Sequence, residues 1–221
     1  MISCLVHTYN EAKNLGRCLQ ALEFADEIVV IDMGSTDKTL EIARDFKAKI
    51  YQHPYTGYVE PARNFGIKKA KGDWILIVDS DEFIPPDLVR VIKNRVNSEN
   101  NEINYYRIAR KNIIFNNWMK NSGWWPDYQI RLFKKGSVSW SEKIHGIPVT
   151  RGIGGDFMPD ESQAIVHYNY TSVSEFLERA NRYSAIQASE FYSKNKRIEY
   201  SDFILSPVNE FVKRYLNNLI W

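Results

Sequence analysis

Buried strands are predicted wherever the first hundred residues run through several apolar positions without interruption. Three such runs are Ile2 to Val6, Ile28 to Ile31 and Trp74 to Val78, and a shorter strand is predicted near Ile50. Runs without polar alternation are typical of a parallel sheet that helices cover on both faces.

Amphipathic helices are predicted between the strands, because apolar residues there recur every three or four positions. Ser35 or Thr36 is placed to cap the second helix. Pro61 opens the third helix, and Pro85 with Pro86 starts the fourth. The inward-facing residues of the first, second and fourth helices are Leu15, Cys18, Leu19 and Leu22, then Leu40, Ala43 and Phe46, then Leu88, Val89, Ile92 and Val96. The alternation of strands and helices indicates an α/β fold.

The pattern changes after residue 102, where more aromatic strands are predicted. These strands are Tyr105 to Ile114, Tyr128 to Phe133 and Val166 to Tyr170, with an aromatic loop between the first two. Arg151 to Glu161 is rich in glycine, proline and aspartate, which predicts a mobile loop. Two helices are predicted to follow, from Ser174 to Lys194 and from Ser206 to the end.

Composition narrows the classes of protein to consider. The 221 residues include 29 basic and 27 acidic ones, a net charge of +2, which argues against a nucleic-acid-binding protein that relies on bulk positive charge. Cys4 and Cys18 lie in apolar patterns and are predicted to be buried thiols in a reducing compartment. The N-terminus lacks the regions of a signal peptide, and no stretch approaches the roughly 20 apolar residues that span a bilayer. A cytoplasmic protein is therefore predicted.

Polar and acidic residues follow three of the predicted strands. They are Thr8-Tyr9-Asn10-Glu11 after the first, Asp32 after the second and Asp79-Ser80-Asp81-Glu82 after the fourth. Ligands of open α/β sheets bind at the carboxyl ends of the strands. On an extended backbone Asp79 and Asp81 point the same way, which suits Mg²⁺ or Mn²⁺ bound together with phosphate oxygens. The alternative is a strand-to-helix turn with a capping carboxylate.

Four motifs in the first ninety residues carry a family resemblance. They are Val6-His7-Thr8-Tyr9-Asn10-Glu11, Asp32-Met33-Gly34-Ser35-Thr36-Asp37-Lys38-Thr39, Ala62-Arg63-Asn64-Phe65-Gly66 and Asp79-Ser80-Asp81. In this order and spacing they resemble the inverting glycosyltransferases of family 2, which have the GT-A fold. The later part of the chain resembles a subgroup that includes lipopolysaccharide-core β-glucosyltransferases. The residues that carry this resemblance are Trp125 to Phe133, His145, His167-Tyr168, Phe176-Leu177 and Arg182-Tyr183.

The resemblance implies a fold and a division of the chain. The GT-A fold is a Rossmann-like α/β domain with a mixed central sheet that binds a nucleotide-sugar, and it is expected here over residues 1–170. Residues 1–100 would form the nucleotide-sugar-binding half, and residues 101–170 the acceptor-binding half. Residues 171–221 would form a C-terminal helical extension close to a membrane.

The resemblance also implies roles toward a nucleotide-diphosphate sugar and a metal. Asp81 would ligate Mn²⁺ or Mg²⁺ directly, and Asp79 would hold the ribose or the same ion. Met33, in the pocket for the base, departs from the serine that the family usually has there. The other implied contacts are Asp32 with a uracil-type base, Thr8, Asn10 and Glu11 with the nucleoside, and Arg63 with the diphosphate of the donor.

Asp127 is the candidate base, because inverting transfer needs one group that deprotonates the acceptor hydroxyl. Its place in the aromatic loop and its match to the subgroup favour this role, and the alternative is a turn after Pro126. His145 is a candidate third metal ligand or acceptor contact, or it completes a local hydrogen-bond network. The acceptor-side candidates are Trp124, Trp125, Gln129 and Arg131. The two tryptophans stack on a sugar or fill the core, and Arg131 pairs with the base or with phosphate.

The last predicted helix starts at Ser206 and Pro207 and carries an apolar stripe beside Lys213 and Arg214. The stripe consists of Val208, Phe211, Val212, Tyr215, Leu216, Leu219 and Ile220. Such a stripe packs on its own domain, meets another subunit or lies in a membrane interface. In the last case the protein would be peripheral, on the inner face of the cell membrane.

The favoured function is metal-dependent, inverting transfer of a hexose from a nucleotide-diphosphate sugar, such as UDP-glucose, to a cell-envelope glycan such as lipopolysaccharide core. One alternative is a nucleotidyltransferase of related fold. That chemistry usually uses a glycine-rich loop after the first strand, where this chain has Tyr9 to Asn14. The other is a non-catalytic domain that binds carbohydrate or a partner, against which the cost of clustered carboxylates without a cation argues.

Overall fold

Strands and helices alternate through the first hundred residues, as the apolar pattern predicts. The computed structural model describes residues 1–98, 102–141, 147–193, 195 and 199–212. The strands are β1 (Ile2–Thr8), β2 (Glu27–Asp32), β3 (Lys49–Gln52), β4 (Trp74–Asp79), β5 (Glu82–Phe83), β6 (Ile103–Ile114), β7 (Asn117–Trp118), β8 (Asp127–Lys134), β9 (Val138–Ser139), β10 (Val149–Thr150), β11 (Ile153–Asp156) and β12 (Ile165–Tyr170). The helices are α1 (Ala12–Gln20), α2 (Thr39–Asp45), α3 (Glu60–Lys69), α4 (Pro86–Val96), α5 (Val173–Ser193) and α6 (Tyr200–Phe211).

The central sheet is mixed, with the order β3-β2-β1-β4-β8-β6-β12-β5. The first four of these strands are parallel, β8 runs antiparallel to both β4 and β6, and β12 is parallel to β6. Thr8 lies opposite Asp32, and His7 lies opposite Asp79. The ends of β1, β2 and β4 therefore meet at one edge of the sheet, where the strand-end residues were expected.

Helices cover both faces of the sheet, so alternate residues of the central strands enter two different cores. Cys4 and Val6 belong to the core that contains α1 and α4, while Leu5 belongs to the core under α3. The predicted inward face of α1 is fully buried, and so are both cysteines. Burial raises the pKa of the Cys18 thiol well above its ordinary value, so that the thiol stays protonated and packs as an apolar group.

Three local predictions are wrong, each for a physical reason. The start of α2 is held by Asp37, which accepts from the Thr39 N–H at 2.9 Å, because Ser35 and Thr36 are instead bonded to Asn10.

The segment predicted as a mobile loop contains β11, which pairs with β6. Its glycines permit this, since a Cβ at Gly154 would overlap the Tyr105 ring. The backbone is not extended through Asp81, because β4 ends at Asp79 and a turn follows.

The last described helix begins earlier than predicted. α6 starts at Tyr200 and contains Pro207 in its interior, because the apolar pattern already begins at Phe203. Its apolar side chains are exposed, and Phe203 is 70% accessible. The later part of the predicted stripe, from residue 213 onward, lies outside the described residues. Within the described part of the chain, no helix is both long and apolar enough to cross a membrane.

Replacing Gly66 by alanine tests the close packing of α3 on the sheet. An added Cβ would lie 2.8 and 2.9 Å from the Leu5 methyl groups and 3.0 Å from Ile31 Cγ1. Gly66→Ala should therefore lower the free energy of unfolding by about 1–3 kcal/mol through overpacking. Gly16→Ala in α1 is the matched control, because its Cβ would meet Ile42 at an ordinary 3.8 Å.

The control should raise the free energy of unfolding by up to about 1 kcal/mol, since alanine is the better helix former. Urea denaturation of the two variants and the parent protein measures both effects. A Gly66→Ala protein that unfolds at the same urea concentration as the parent would contradict this packing.

Candidate active site

The loops after β1 and β2 are joined by hydrogen bonds at the edge of the sheet. Asn10 adopts a left-handed backbone conformation (φ 52°), which asparagine tolerates well. Its N–H donates to Ser35 Oγ at 2.9 Å, and its Oδ1 accepts from the Thr36 N–H at 2.8 Å. Asp32 is fully buried, and its carboxylate accepts from the N–H groups of Gly34 and Ser35. Nucleoside contacts are predicted for Asn10 and Asp32, and in the structure these two residues shape the loops after β1 and β2.

Unsatisfied polar atoms collect beside these loops. Thr8 Oγ1, His7 Nδ1 and Arg63 Nη1 are buried and have no hydrogen-bond partner among the described residues. Burial, together with the nearby Arg63 guanidinium, lowers the pKa of His7 to about 3, so that its ring is neutral at physiological pH. Tyr9 stacks on Tyr55 with a centroid distance of 4.0 Å. This edge of the sheet therefore offers both aromatic surface and unused hydrogen-bonding capacity.

Asp79 is bound by two arginines. Arg63 Nη2 of α3 donates to its Oδ1 at 3.1 Å, and Arg131 Nη2 of β8 donates to its Oδ2 at 2.7 Å. Burial opposes ionisation of Asp79, but Arg131 and Arg63 outweigh it and hold the pKa of this carboxyl well below its ordinary value. Arg131, expected on the acceptor side, is only 4% exposed. Its ion pairs are with Asp79 and Glu82 and not with Asp127. It serves instead as the buried cation of Asp79.

Glu82 shares this cation, a role that the sequence analysis missed. Its Oε1 lies 2.5 Å from Arg131 Nη2 and 3.7 Å from Arg110 Nη1, and its Oε2 accepts from the Asp79 N–H at 2.9 Å. Burial raises the pKa of Glu82 despite the two arginines. The run of acidic residues after β4 was the signal that could have included it.

Asp81 faces a different set of groups. His167 Nε2 of β12 lies 3.5 Å from its Oδ2, and Arg179 Nη1 of α5 lies 3.6 Å from the same oxygen. Burial opposes ionisation of Asp81, but His167 outweighs it and lowers the pKa of the carboxyl. Burial raises the pKa of Glu11, and the charge of Asp81 adds to that effect. Asp81 and Glu11 therefore lie close together under α5, which belongs to the predicted C-terminal extension.

Asp127 is held by three polar side chains at the start of β8. Its Oδ2 accepts from Arg110 Nε at 2.8 Å and from Asn112 Nδ2 at 3.0 Å, and its Oδ1 accepts from Gln129 Nε2 at 2.7 Å. Burial opposes its ionisation, but Arg110 and these hydrogen bonds lower the pKa of Asp127 below its ordinary value. Its side chain is 22% exposed, so an ionised carboxylate remains accessible.

One side chain links Asp127 to the Asp81 cluster. Asn112 Oδ1 lies 2.7 Å from His167 Nδ1, and the other end of the same amide donates to Asp127. The two carboxylates are thus joined through Asn112 and His167. His167 was part of the motif that carries the subgroup resemblance, but neither residue was predicted as a site residue.

An aromatic cluster lies next to Asp127 along the chain. Trp125 contacts Trp118 edge-to-face at a centroid distance of 5.4 Å, and the ammonium groups of Lys111 and Lys120 lie 4.3 and 4.0 Å from the Trp118 ring centroid. Trp124 is partly exposed. The cluster combines flat apolar surface with positive charge, which suits a sugar that carries negative charge.

The metal site predicted from sequence is only partly described. His145 lies outside the described residues. Among the described residues, no three histidine, cysteine, aspartate or glutamate side chains come together as a metal centre. The closest arrangement of suitable donors described above is the pair formed by Asp81 Oδ2 and His167 Nε2.

Comparison with known proteins supports the resemblance. The sequence profile described as Glycosyl transferase family 2 matches residues 3–152. The lipopolysaccharide core biosynthesis glycosyltransferase LpsC of Rhizobium meliloti is 25% identical over 232 residues, covering 100% of this chain and 82% of LpsC. An uncharacterized glycosyltransferase of Rickettsia bellii is 30% identical over 205 residues, covering 89% of this chain and 69% of the relative.

A solved structure shares the fold of this chain. Residues 1–349 of Staphylococcus aureus TarS superpose with a TM-score of 0.52 at 19% identity, covering 98% of this chain and 73% of that chain. Together with the profile match, this confirms the GT-A fold expected from the sequence.

Arg131→Met tests whether Arg131 compensates the charge of both Asp79 and Glu82. Removing it leaves Asp79 and Glu82 short of charge compensation, so the free energy of unfolding at neutral pH should fall by about 3–5 kcal/mol. The loss should shrink in mild acid, because uncompensated buried carboxyls have raised pKa values and take up protons as the pH falls. Urea denaturation at the two pH values measures this difference.

Arg90→Met is the matched control. Arg90 forms an exposed pair with Asp87 at 3.2 Å, so its loss should change the free energy of unfolding by at most about 0.5 kcal/mol. Equal, pH-independent losses in the two variants would refute the role given to Arg131.

Proposed function

The chain belongs to glycosyltransferase family 2, and from that premise we propose that it transfers a hexose, with inversion, from a UDP-sugar such as UDP-glucose to a hydroxyl of a cell-envelope glycan such as lipopolysaccharide core. The observation that carries the proposal is the arrangement of Asp81 and Asp127. These are two ionised carboxylates, one beside the strand-end loops and one beside the aromatic cluster, connected through Asn112 and His167. The name of the relative LpsC supports the choice of acceptor.

Asp81 and His167 are the proposed ligands of Mn²⁺ or Mg²⁺. The 3.5 Å between Asp81 Oδ2 and His167 Nε2 suits two adjacent ligands of one ion, which at about 2.1 Å from it lie about 3 Å apart. Carboxylate oxygen and imidazole nitrogen suit Mn²⁺, and such ions take further ligands from substrate phosphates. When bound, the ion would supply positive charge against the departing diphosphate. The ligand role predicted for His145 stays a prediction.

Asp79 and Arg63 are proposed to act on the nucleotide rather than on the metal. Both carboxylate oxygens of Asp79 already accept from arginines, which leaves Asp81 as the better metal ligand. Asp79 orients Arg63, whose buried Nη1 has no partner among the described residues and is available to a diphosphate oxygen. Thr8, Asn10, Glu11 and Asp32 would border the nucleoside.

Asp127 is proposed as the base. It is ionised at neutral pH, partly exposed and fixed by Arg110, Asn112 and Gln129. It would accept the proton of the acceptor hydroxyl while that oxygen attacks the anomeric carbon. Its lowered pKa makes it a weak base, so proton transfer is expected late, after the hydroxyl has become acidic by bonding to carbon.

The aromatic cluster is the proposed acceptor platform. Trp125 and Trp118 offer stacking surface, and Lys111 and Lys120 suit phosphorylated or carboxylated sugars. The exposed apolar side chains of α6 support peripheral contact with the membrane that carries such an acceptor.

Asp127→Asn separates chemistry from nucleotide binding. The parent protein should release UDP from at least one UDP-sugar in the presence of Mn²⁺ and an envelope glycan, and should lose this activity with chelator. Asp127→Asn should lower kcat by about 10²–10⁴-fold, because the base is lost, while UDP affinity measured by calorimetry stays unchanged.

Asp156→Asn is the matched control for Asp127→Asn. Asp156 also pairs with an arginine of β6, Arg107, but it is exposed and lies away from the network. It should keep full activity. Undiminished activity in Asp127→Asn would remove the base assignment, and a parent protein that binds no UDP would remove the proposed function.

A further inference from the structure

Asn112 is a fully buried amide between the two halves of the site. We propose that it is a positioning residue that sets the tautomer of His167 and at the same time orients Asp127, so that one side chain prepares both the metal ligand and the base. This inference rests on the proposed function for the roles of His167 and Asp127.

The backbone places Asn112 against His167. The two residues lie directly opposite each other on the parallel strands β6 and β12. Side chains at opposite positions of neighbouring strands share one face of the sheet. The Asn112 carbonyl accepts from the Met119 N–H at 3.0 Å, which holds β6 in place where the following chain turns back. The contact between the two side chains is therefore a consequence of sheet register.

The orientation of the amide follows from the charge of Asp127. An ionised carboxylate can only accept hydrogen bonds, so the group of Asn112 that faces it at 3.0 Å must be the Nδ2 donor. The Oδ1 of the same amide therefore faces His167, at 2.7 Å from Nδ1. A carbonyl oxygen can only accept, so His167 Nδ1 must carry a hydrogen.

This arrangement decides what His167 presents to Asp81. With one hydrogen fixed on Nδ1, Nε2 is the ring nitrogen that faces Asp81 Oδ2, 3.5 Å away. A cation bound between the two residues would therefore use the lone pair of Nε2. Without Asn112 the same carboxylate would attract the hydrogen to Nε2, and the ring would present a donor where a metal needs a lone pair.

Two substitutions of Asn112 separate its functions. Asn112→Ala removes both contacts, so His167 should change to the Nε2–H tautomer. Asn112→Asp keeps an acceptor for His167 Nδ1–H, but it removes the donor to Asp127 and adds a like charge beside it. The second variant should therefore keep the tautomer, while the acidic limb of its pH–rate profile moves to higher pH.

Asn104→Ala is the matched control, because Asn104 lies on the same strand and its side chain also makes a hydrogen bond, to the Ile153 N–H. It should leave the tautomer, the metal affinity and the pH profile unchanged.

Nitrogen NMR of histidine-labelled protein reads the tautomer directly. The chain has four histidines, so the His167 signals can be assigned by their loss in His167→Gln. Spectra of the metal-free protein should show a protonated Nδ1. Titration with Mn²⁺ in the presence of UDP should show about 10–100-fold weaker binding for Asn112→Ala, and unchanged binding for Asn112→Asp and Asn104→Ala.

The outcomes separate this inference from the proposed function. A neutral His167 with its hydrogen on Nε2 in the parent protein would overturn the inference. So would an Asn112→Ala protein that keeps both the tautomer and the Mn²⁺ affinity. If the parent protein fails to bind Mn²⁺ with UDP, the proposed function fails, while the metal-free spectra still report whether Asn112 sets the tautomer.

Discussion

Compensation of buried negative charge at the end of β4 is the constraint on which the rest of this structure depends. Glu82 is buried and Asp79 beside it is partly buried, and a buried carboxylate without a partner there would cost several kcal/mol. Arg131 donates to both carboxylates, and Arg63 and Arg110 add charge from α3 and β6. Because these arginines come from both predicted halves of the domain, the same ion pairs that neutralise the strand end also hold the two halves in register.

The remaining carboxylates use this framework differently. Asp81 keeps its charge beside His167 and Arg179, which lie 3.5 and 3.6 Å away, and Asp127 keeps its charge while 22% of its side chain is exposed. Arg110 contacts both Glu82 and Asp127, and so links the strand end to the proposed base. The pairs of Asp79 and Glu82 provide stability and position, and the proposed chemistry falls to Asp81 and Asp127.

The sequence predicts the parts of this protein that depend on local pattern. The apolar runs of β1, β2 and β4 and the helical spacing of α1 and α4 predicted those elements, and the motifs predicted the GT-A fold. The partners of the site residues were not predictable in this way. Asn112 and His167 are 55 positions apart and meet only because β6 lies beside β12.

Three local sequence signals do not account for what the structure shows. The composition around Gly154 predicts a loop, but the structure uses this glycine to let β11 approach Tyr105. Pro207 is a helix-start signal, although apolar residues before it continue the helical pattern. The spacing of Arg131 from Gln129 does not predict that it pairs with Asp79 and Glu82, because these contacts depend on the charge that β4 brings beside it. Long-range contacts decide the outcome for Gly154 and Arg131, whereas for Pro207 the local apolar pattern decides it.

The most direct test of the account is pulsed EPR of Mn²⁺ bound together with UDP, which detects nitrogen coordinated to the ion. The parent protein should show a coordinated imidazole nitrogen, because His167 presents its Nε2 beside Asp81. The nitrogen signal should weaken or disappear in His167→Gln, because that nitrogen is lost. A nitrogen signal that the loss of His167 leaves unchanged, or an ion with no coordinated nitrogen, would contradict the central claim.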